Sequence, residues 1–320
     1  RADCARCPMV APPAEARPWS FAEATRCCTA HPALANFLAG GALRRGGAGR
    51  DRVLARLARP DGVSPWGIDA PADYDRAIVA SGDHGFGRDP ALRCPYWAGG
   101  AESCGVWRDR SAVCRTWYCK HDDGLRGAVE WSEDGTLLAE VESRLAKACI
   151  AAAATEAAVV SATPEPASWA AWFEWCAAHV ERLDDASVEA IATPALVVKR
   201  HDLVSLRRRP RWALPEVVVA AVRDQVDAGD GSGAVLLAGY STFDAVRAPR
   251  EVFQFLARLD GERSWRAALA GARTPGVDEP LVAELYRVGA LESPGGGDLG
   301  VEVDLVPTSR WLNRGRYPED

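Results

Sequence analysis

The stretch "CRTWYCK", residues 114–120, places two cysteines on either side of a pair of aromatic residues. The same association of cysteine with aromatic residues occurs in "CPYW" at 94–97 and in "CGVW" at 104–107. The chain has ten cysteines in 320 residues, and eight of them lie in its first 119 residues. This concentration indicates that cysteine chemistry organises the N-terminal part of the fold. The eight cysteines are Cys4, Cys7, Cys27, Cys28, Cys94, Cys104, Cys114 and Cys119.

Disulfide frameworks, zinc sites and iron–sulfur clusters all use cysteines in this number. Disulfide frameworks are typical of small secreted domains, whereas this chain is long, is 48% hydrophobic and shows no export signal. Cysteine clusters in cytosolic proteins are more often metal sites. We therefore predict a cytoplasmic metal-binding protein whose eight N-terminal cysteines are the ligands. The disulfide alternative predicts a protein with no metal and no free thiols.

The spacing of the cysteines favours more than one metal. Cys4 and Cys7 form a C-x2-C pair, which presents two thiolates to one metal ion. Cys27 and Cys28 are adjacent, and neighbouring side chains of an extended segment point to opposite faces. Such a pair suits two nearby metals, or different irons of one cluster. Eight thiolates would satisfy two four-coordinate sites or two clusters.

The combined motifs resemble those of the YkgJ-like cysteine-cluster family, a family of zinc- or iron-chelating domains. The resemblance covers residues 4–120 and implies a metal site, but it does not imply a particular reaction. It rests on "CARC" (4–7), "RCCTAHPALANFLAG" (26–40), "CPYW" (94–97), "CGVWRDRSAVC" (104–114) and "CRTWYCK" (114–120).

The residues around the cysteines favour an iron–sulfur cluster, of the [4Fe-4S] type, over zinc. A dry aromatic shell limits solvent access to a cluster and tunes its potential, although the same residues can simply form a small core. Basic residues offset the negative charge of thiolates, although they can equally be solvated. Zinc therefore stays an alternative cofactor. The aromatic residues are Tyr96, Trp97, Trp107, Trp117 and Tyr118, and the basic ones are Arg108, Arg110, Arg115 and Lys120.

Three histidines near these motifs define a further hypothesis. His31 follows the Cys27–Cys28 pair and His121 follows Cys119, so either is a candidate metal ligand. Asp83 and His84, in the glycine-rich segment "SGDHGFGRD", are candidates for acid–base chemistry or for a plain turn. A mononuclear or dinuclear iron enzyme would use such histidines with carboxylates. Whether the chain is an enzyme stays open.

Several classes of function are excluded by the sequence. It contains no phosphate-binding G-x-x-x-x-G-K-[ST] motif and no G-x-G-x-x-G after a strand. The formal net charge is -6, and the one basic run, "RRRPRW" at 207–212, is predicted to be an exposed loop, so no nucleic-acid partner is indicated. No apolar run approaches the ~20 residues of a membrane span, so we predict no membrane association.

We predict a mainly α-helical fold with irregular loops, in three parts. Residues 1–123 form a cysteine-cluster metal-binding domain, 124–229 a helical region in which Cys149 and Cys176 are core residues, and 230–320 a small winged-helix-like module. Apolar spacing predicts the helices. They cover about 36–43, 51–58, 137–160, 168–183, 215–226, 249–261, 264–272 and 278–291, and a buried strand covers 234–240.

Two functional hypotheses follow from this organisation. The first is an iron–sulfur protein with a redox role, in electron transfer or in a metal-dependent modification. The second is a structural zinc-binding protein whose C-terminal module mediates protein or peptide contacts. The winged-helix likeness makes a peptide or protein the expected partner in either case.

Overall fold

The computed structural model contains eleven α-helices and three small antiparallel sheets in the residues it describes. The mainly helical class predicted from the sequence is confirmed. The described residues are 7–10, 19–59, 61–82, 85–99, 104–155, 168–208 and 213–295.

The N-terminal part combines short helices with a minimal sheet. The helices predicted near 36–43 and 51–58 are confirmed as α1 and α2. The three strands form an antiparallel sheet in the order β1-β3-β2. Two short 3-10 helices cover Pro90–Leu92 and Trp107–Asp109. The elements are β1 (Leu34–Ala35), α1 (Asn36–Arg45), α2 (Gly47–Leu57), β2 (Val63–Ser64), β3 (Gly67–Ile68), α3 (Ala72–Ser81) and α4 (Ala112–Thr116).

The longest helix, α5 (Gly124–Thr155), begins thirteen residues before the predicted start at 137. Its first turns bury Arg126, which forms an ion pair with Glu130 at 3.0 Å. The Arg126 guanidinium also donates to the carbonyl of Leu206 at 3.5 Å. Charged residues that are buried as partners do not contribute to an apolar stripe, and apolar spacing therefore misses this part of the helix. Residues 156–160 of the predicted helix lie outside the described residues.

Helix α6 (Trp169–Glu181), within the predicted segment 168–183, packs against α1. A Cβ at Gly40 would overlap the Phe173 carbonyl, so glycine permits the close approach of the two helices. Asn36 is fully buried and donates to the carbonyls of Pro65 at 3.0 Å and Ala146 at 3.2 Å. This amide joins α1 to α5, and the resulting core includes residues from both sides of position 123.

The predicted core cysteines are confirmed. Cys149 and Cys176 are both fully buried in this core. The Cys149 thiol donates to the Cys176 carbonyl at 3.7 Å. These two thiols therefore belong to the packing of α5 against α6.

Two helices that the sequence analysis did not predict follow, α7 (Asp185–Ile191) and α8 (Pro194–Arg208). Their exposed valines, Val197 among them, weaken the apolar stripe on which the prediction depended. Arg207 closes α8 and pairs with Asp134 of α5. Part of the basic run at 207–212 therefore belongs to a helix, and residues 209–212 lie outside the described part of the chain.

The predicted helix at 215–226 is wrong. The segment contains β4 (Val219–Ala220) and most of β5 (Asp224–Asp227). Strand β4 pairs with β8 (Leu291–Glu292), and β5 pairs with β6 (Ala234–Ala238). Consecutive valines favour strands, and the glycine-rich segment 229–233 closes the β5–β6 hairpin with left-handed backbone angles. Strand pairing, with the remote β8 and with the adjacent β6, therefore decides the conformation of this segment.

The C-terminal helices surround a three-stranded sheet in the order β5-β6-β7. The strand predicted at 234–240 is confirmed as β6, and the helices at 264–272 and 278–291 are confirmed as α10 and α11. The helix predicted at 249–261 is shorter than expected, because its first residue ends β7. The elements are β6 (Ala234–Ala238), β7 (Val246–Pro249), α9 (Val252–Leu256), α10 (Trp265–Ala272), α11 (Glu279–Arg287) and β8 (Leu291–Glu292).

An aromatic cluster joins the C-terminal sheet to the cysteine-rich part. Phe243, between β6 and β7, has its ring centroid 5.4 Å from that of Phe21 and 6.1 Å from that of Phe86. Phe86 in turn lies 5.6 Å from Trp117, edge to face. Edge-to-face pairs stabilise by about 0.5–1.5 kcal/mol beyond area burial. Trp117 thereby connects the aromatic cluster to the segment that carries Cys119.

A polar network lies beside the aromatic cluster. The Tyr240 hydroxyl donates to Asp244 at 2.6 Å and accepts from the backbone N–H of His121 at 3.2 Å. Arg287 donates to the His121 carbonyl at 2.8 Å and to Asp244 at 3.2 Å. A Cβ at Gly124 would overlap the Arg287 carbonyl, so glycine is required where α5 begins. The network orders the chain between Cys119 and α5.

None of the helices in the described ranges has the length and the apolar character needed to cross a membrane.

We expect Phe243→Ala to lower the free energy of unfolding by about 2 kcal/mol, because it removes the ring that joins the two parts. For a chain of this size this corresponds to a fall of a few degrees in Tm, measurable by calorimetry. Val197→Ala, at an exposed position on α8, is the control. Equal Tm values for the two variants would contradict the assigned contact.

Candidate metal centre

Seven of the eight predicted ligands lie in the described residues, and Cys4 lies outside them. All seven are partly buried. Cys94 and Cys104 pack against the N-terminal core. Cys114 lies in α4, and Cys119 lies in the loop between α4 and α5. The five cysteines Cys27, Cys28, Cys94, Cys114 and Cys119 are thiols without disulfide bonds.

A buried threonine pair positions the turn that carries Cys27 and Cys28. The Thr25 hydroxyl donates to the Gly87 carbonyl at 2.6 Å, and the Thr29 hydroxyl accepts from the Gly87 N–H at 2.7 Å. Both threonines are fully buried. Gly87 has φ 76°, and a Cβ there would overlap the Phe21 ring. The glycine-rich segment considered for acid–base chemistry therefore supports the cysteine turn through Gly87, while Asp83 and His84 lie outside the described residues.

Backbone hydrogen bonds bring the second set of cysteines to this turn. The N–H of Cys94 donates to the Cys28 carbonyl at 2.8 Å. Trp97 donates to the Cys94 carbonyl at 3.0 Å and forms an antiparallel bridge with Cys104. Residues far apart in sequence therefore lie side by side.

Cys27 and Cys28 interact directly with each other. The neighbouring Cys28 thiol lowers the pKa of Cys27, and Cys27 in turn raises the pKa of Cys28. The positive charges of Arg110 and Arg26 lower the pKa of Cys27 further. The prediction that the two side chains point to opposite faces is wrong, because residues 27 and 28 lie in a turn and not in an extended segment. Cys27 is the thiol of this pair that ionises more readily.

The remaining thiols raise one another's pKa values. Burial raises the pKa of Cys94, and the neighbouring Cys114, Cys104 and Cys27 add to the effect. Burial also raises the pKa of Cys114, to about 12, together with Cys104 and Cys27. Like charges that approach one another disfavour ionisation. These thiols are therefore near neighbours in the fold.

Neighbouring cysteines also raise the pKa of Cys119. Burial raises the pKa of Cys119, and the charges of Cys27 and Cys7 raise it further. Cys27 is thus an electrostatic neighbour of Cys94 and Cys114 as well as of Cys119. Cys27 is therefore the thiol whose charge acts on the cysteines of both segments.

In the part of the chain that the structure describes, no three His, Cys, Asp or Glu side chains converge closely enough to hold a metal ion. Thiols with raised pKa values carry protons, and a metal must displace these protons before thiolates can coordinate it. The donor chemistry fits a soft metal, because thiolates select zinc and iron–sulfur clusters over magnesium or calcium. The residue types therefore fit the predicted cofactor, and the thiols must move closer together to bind it.

The basic residues around the cysteines have defined roles. Arg110 stacks on Trp107, with its guanidinium carbon 3.6 Å from the ring centroid, and donates to the Cys114 carbonyl at 3.2 Å. Arg115 donates to the carbonyls of Arg110 and Arg108. The aromatic residues exclude water only in part, because Tyr96 is buried whereas Trp107 is 42% exposed beneath Arg110. Arg110 therefore holds α4 and supplies positive charge at the thiols.

The His31 ring makes a hydrogen bond inside the protein. Its Nε2 accepts from Arg56 Nε at 3.3 Å, and its ring contacts those of Tyr74 and Tyr96. Arg56 is also buried and donates to the Asp69 carbonyl at 2.9 Å. Burial, aided by the charge of Arg56, lowers the pKa of His31 to about 4. Metal binding through Nε2 would break the contact with Arg56.

His121 lies between the cysteine segment and the C-terminal sheet. Its ring contacts those of Tyr118 at 6.0 Å and Tyr240 at 5.8 Å. Burial lowers the pKa of His121. Its backbone is held by the Tyr240 and Arg287 hydrogen bonds, so the structure gives this residue a role in the contact between the two parts.

Glu142 is a residue that the sequence analysis missed. It lies on α5, which packs against α4. Burial raises the pKa of Glu142 to about 7, against the opposing effects of the Ala112 backbone and of Arg115. Nothing in the local sequence marks it, since a glutamate on a long helix is usually solvated. It lies beside the helix that carries Cys114.

No family model matches this chain, and neither a curated protein nor a solved structure is significantly similar to it. The functional argument therefore depends on the cysteine motifs and on the geometry described above.

We expect the protein to lose stability as the pH falls from 6.5 to 4, because the unfolded chain binds a proton at His31 whereas the folded state keeps His31 neutral. Its folded pKa lies below the unfolded value, so this stability is present above pH 6.5 and is lost as the pH falls through about 4. The full effect is about 3 kcal/mol.

His31→Gln, which can still accept from Arg56, is expected to flatten this acid slope in denaturant titrations. His201→Gln, at an exposed position on α8, is the control and should keep the wild-type slope. An unchanged slope in His31→Gln would contradict the assignment of a neutral, buried His31.

The ionisation of Glu142 is expected to give the opposite dependence of stability on pH. Its folded pKa lies above the unfolded value, so its contribution is fully present below pH 4.5 and is lost as the pH rises through about 7. We expect Glu142→Gln to raise Tm at pH 8 and to leave it nearly unchanged at pH 4.5. Glu140→Gln, which removes only the ion pair with Arg144, is the control and should have little effect at either pH. A Glu142→Gln variant that is less stable at pH 8 would refute the burial of a charge.

Proposed function

We propose that this chain is a cysteine-cluster protein of the YkgJ-like kind that holds an iron–sulfur centre and has a redox role. The observation that carries the proposal is the gathering of thiols around Cys27. Cysteines spread from residue 7 to residue 119 influence one another's ionisation, although the chain between them forms helices and loops of its own. Thiols that disfavour one another's ionisation stay protonated at neutral pH, and they become ligands when a metal displaces their protons.

The predicted ligands are the eight N-terminal cysteines, with Cys4 paired to Cys7 by the C-x2-C motif. Cys27 acts on the cysteines of both segments, a position that suits two metal centres or one cluster with several irons. An iron–sulfur centre supplies one-electron transfer over a wide range of potentials. The side chains of this protein supply thiolate ligands, positive charge from Arg26 and Arg110, and partial exclusion of water.

The C-terminal module is proposed to be winged-helix-like and to bind a protein or peptide partner. Support comes from its composition of three helices, α9 to α11, packed with small antiparallel sheets. Its contact with the cysteine-rich part, through Phe243 and Tyr240, would place a bound partner near the metal centre. A cytoplasmic location is part of the proposal, because thiols stay reduced there.

The decisive experiment is metal and sulfide analysis of protein purified without oxygen. We expect several irons with matching acid-labile sulfide and a broad absorption band near ~400 nm. One or two zinc ions in a colourless protein would overturn the redox proposal in favour of a structural zinc protein. Absence of metal, with cysteines in disulfides, would overturn both.

Cys27→Ser is expected to lose at least half of the bound metal, because the charge of Cys27 acts on the cysteines of both segments. Cys149→Ala, which removes a buried core thiol, is the control and should keep the full metal content. His121→Ala should also keep it, whereas an iron enzyme with histidine ligands would lose it. Full metal content in Cys27→Ser would contradict the proposed site.

A further inference from the structure

Helices α7 and α8 expose most of their residues to solvent. Helix α7 buries none of its residues, and α8, which packs against α5, buries only Leu203 and Leu206. No residue in the stretch 184–202 is buried. Helices this short are marginal in water by themselves, and most helical stability in proteins comes from the packing of an apolar face. We therefore expect a partner to cover these two helices.

The exposed residues of α7 and α8 include four valines. The described part of the chain has eight large hydrophobic residues that are exposed, and half of them are these valines. Val197 and Val204 are two helical turns apart and therefore share one face of α8. Valine has a lower helix propensity than straight-chain residues, so its use at exposed helical positions indicates a contact surface. The four are Val188 (50% exposed), Val197 (59%), Val198 (57%) and Val204 (37%).

The two helices carry opposite charges. The charged residues of α7 are Asp185 and Glu189, and a third acidic residue, Asp184, caps the helix. Helix α8 carries a single acidic residue, Asp202, and four basic ones. Each helix therefore combines exposed apolar residues with charge of one predominant sign. The basic residues of α8 are Lys199, Arg200, Arg207 and Arg208.

The opposite charges do not neutralise each other within the chain. Among the described residues no ion pair joins α7 to α8, and the two helices make little contact with each other. Arg207 pairs with Asp134 on α5. His201 pairs with its own neighbour, Asp202, at 3.8 Å. The acidic residues of α7 and most of the basic charge of α8 are therefore available to another molecule.

We propose that the exposed faces of α7 and α8 form the interface of a homodimer, in which α7 of each copy packs against α8 of the other. A two-fold symmetric interface uses the same surface of both copies, so this contact occurs twice. In each contact an acidic helix lies against a basic one, and the exposed valines of both copies become buried. Pairing α8 with α8 would instead bring like charges together.

The dimer is an interaction separate from the proposed function. It needs no metal, and it uses a surface outside the C-terminal module. Each copy contributes two short helices, of 7 and 15 residues, so the interface is smaller than that of a permanent dimer. We therefore expect a reversible dimer that dissociates on dilution.

The first experiment is sedimentation velocity of the full chain over a series of concentrations. The wild type is expected to shift from monomer to dimer as its concentration rises. Val198→Glu places a charge among the valines and is expected to weaken the association by about tenfold or more. Val79→Glu is the matched control, because Val79 is 81% exposed on α3, outside the proposed interface. This variant should associate like the wild type.

Charge reversal tests the pairing of α7 with α8. In Asp185→Lys/Glu189→Lys both helices are basic. In Lys199→Glu/Arg200→Glu the exposed stretch of both helices is acidic. Each variant alone is expected to be monomeric, because like charges then face each other.

An equimolar mixture of the two charge-reversed variants is expected to dimerise, because each copy offers the charge that the other lacks. Both variants keep a negative net charge, so attraction between whole molecules does not account for this recovery. Dimerisation of the mixture also shows that both variants are folded.

The outcomes are distinct. A wild type that stays monomeric at all concentrations would overturn the inference, and another part of this chain or a different protein would then cover α7 and α8. A dimer that Val198→Glu leaves intact would belong to another surface and would also overturn it. A mixture of the charge-reversed variants that stays monomeric would overturn the pairing of α7 with α8. The proposed function is tested separately, by metal and sulfide analysis.

Discussion

The two hydrogen bonds between buried threonines and Gly87 are the interactions on which the arrangement of the cysteines depends. They hold the turn that carries Cys27 and Cys28. The Cys28 carbonyl then receives the N–H of Cys94, which brings the second set of cysteines alongside. Each step uses backbone or hydroxyl groups, which leaves the sulfurs available as ligands.

The scaffold around this site is held by buried polar contacts as much as by apolar packing. Asn36 joins α1 to α5, and Arg287 joins α11 to the chain that follows Cys119. Buried polar groups must find partners, and each partner here lies far away in the sequence. A site built in this way has ligand segments whose positions are set by all parts of the chain. Burial disfavours the charged form, which is protonated in His31 and deprotonated in Glu142, so the two residues are expected to make stability depend on pH in opposite directions.

The spacing of apolar residues predicted an element correctly wherever one apolar stripe of that element faces one core. The predicted helices α1, α2, α6, α10 and α11 and the buried strand β6 are of this kind. It failed at 215–226, where Val219 pairs with the remote strand β8 and Val226 pairs with the next strand, β6. It failed at the start of α5, where buried Arg126 pairs with the partly buried Glu130. It also missed α7 and α8, which carry exposed valines. For β4 the partner strand lies remote in sequence and is invisible to a local pattern.

For the site, the sequence by itself determined the donor chemistry. Eight cysteines at these spacings predict a soft-metal site, and the amino-acid types alone set that preference. Only the tertiary structure decided that Cys94 lies beside Cys28 and that His31 is occupied by Arg56. The physical reason is that ligand identity is a property of single residues, whereas proximity, burial and the ionisation they control arise from contacts between residues that the fold brings together.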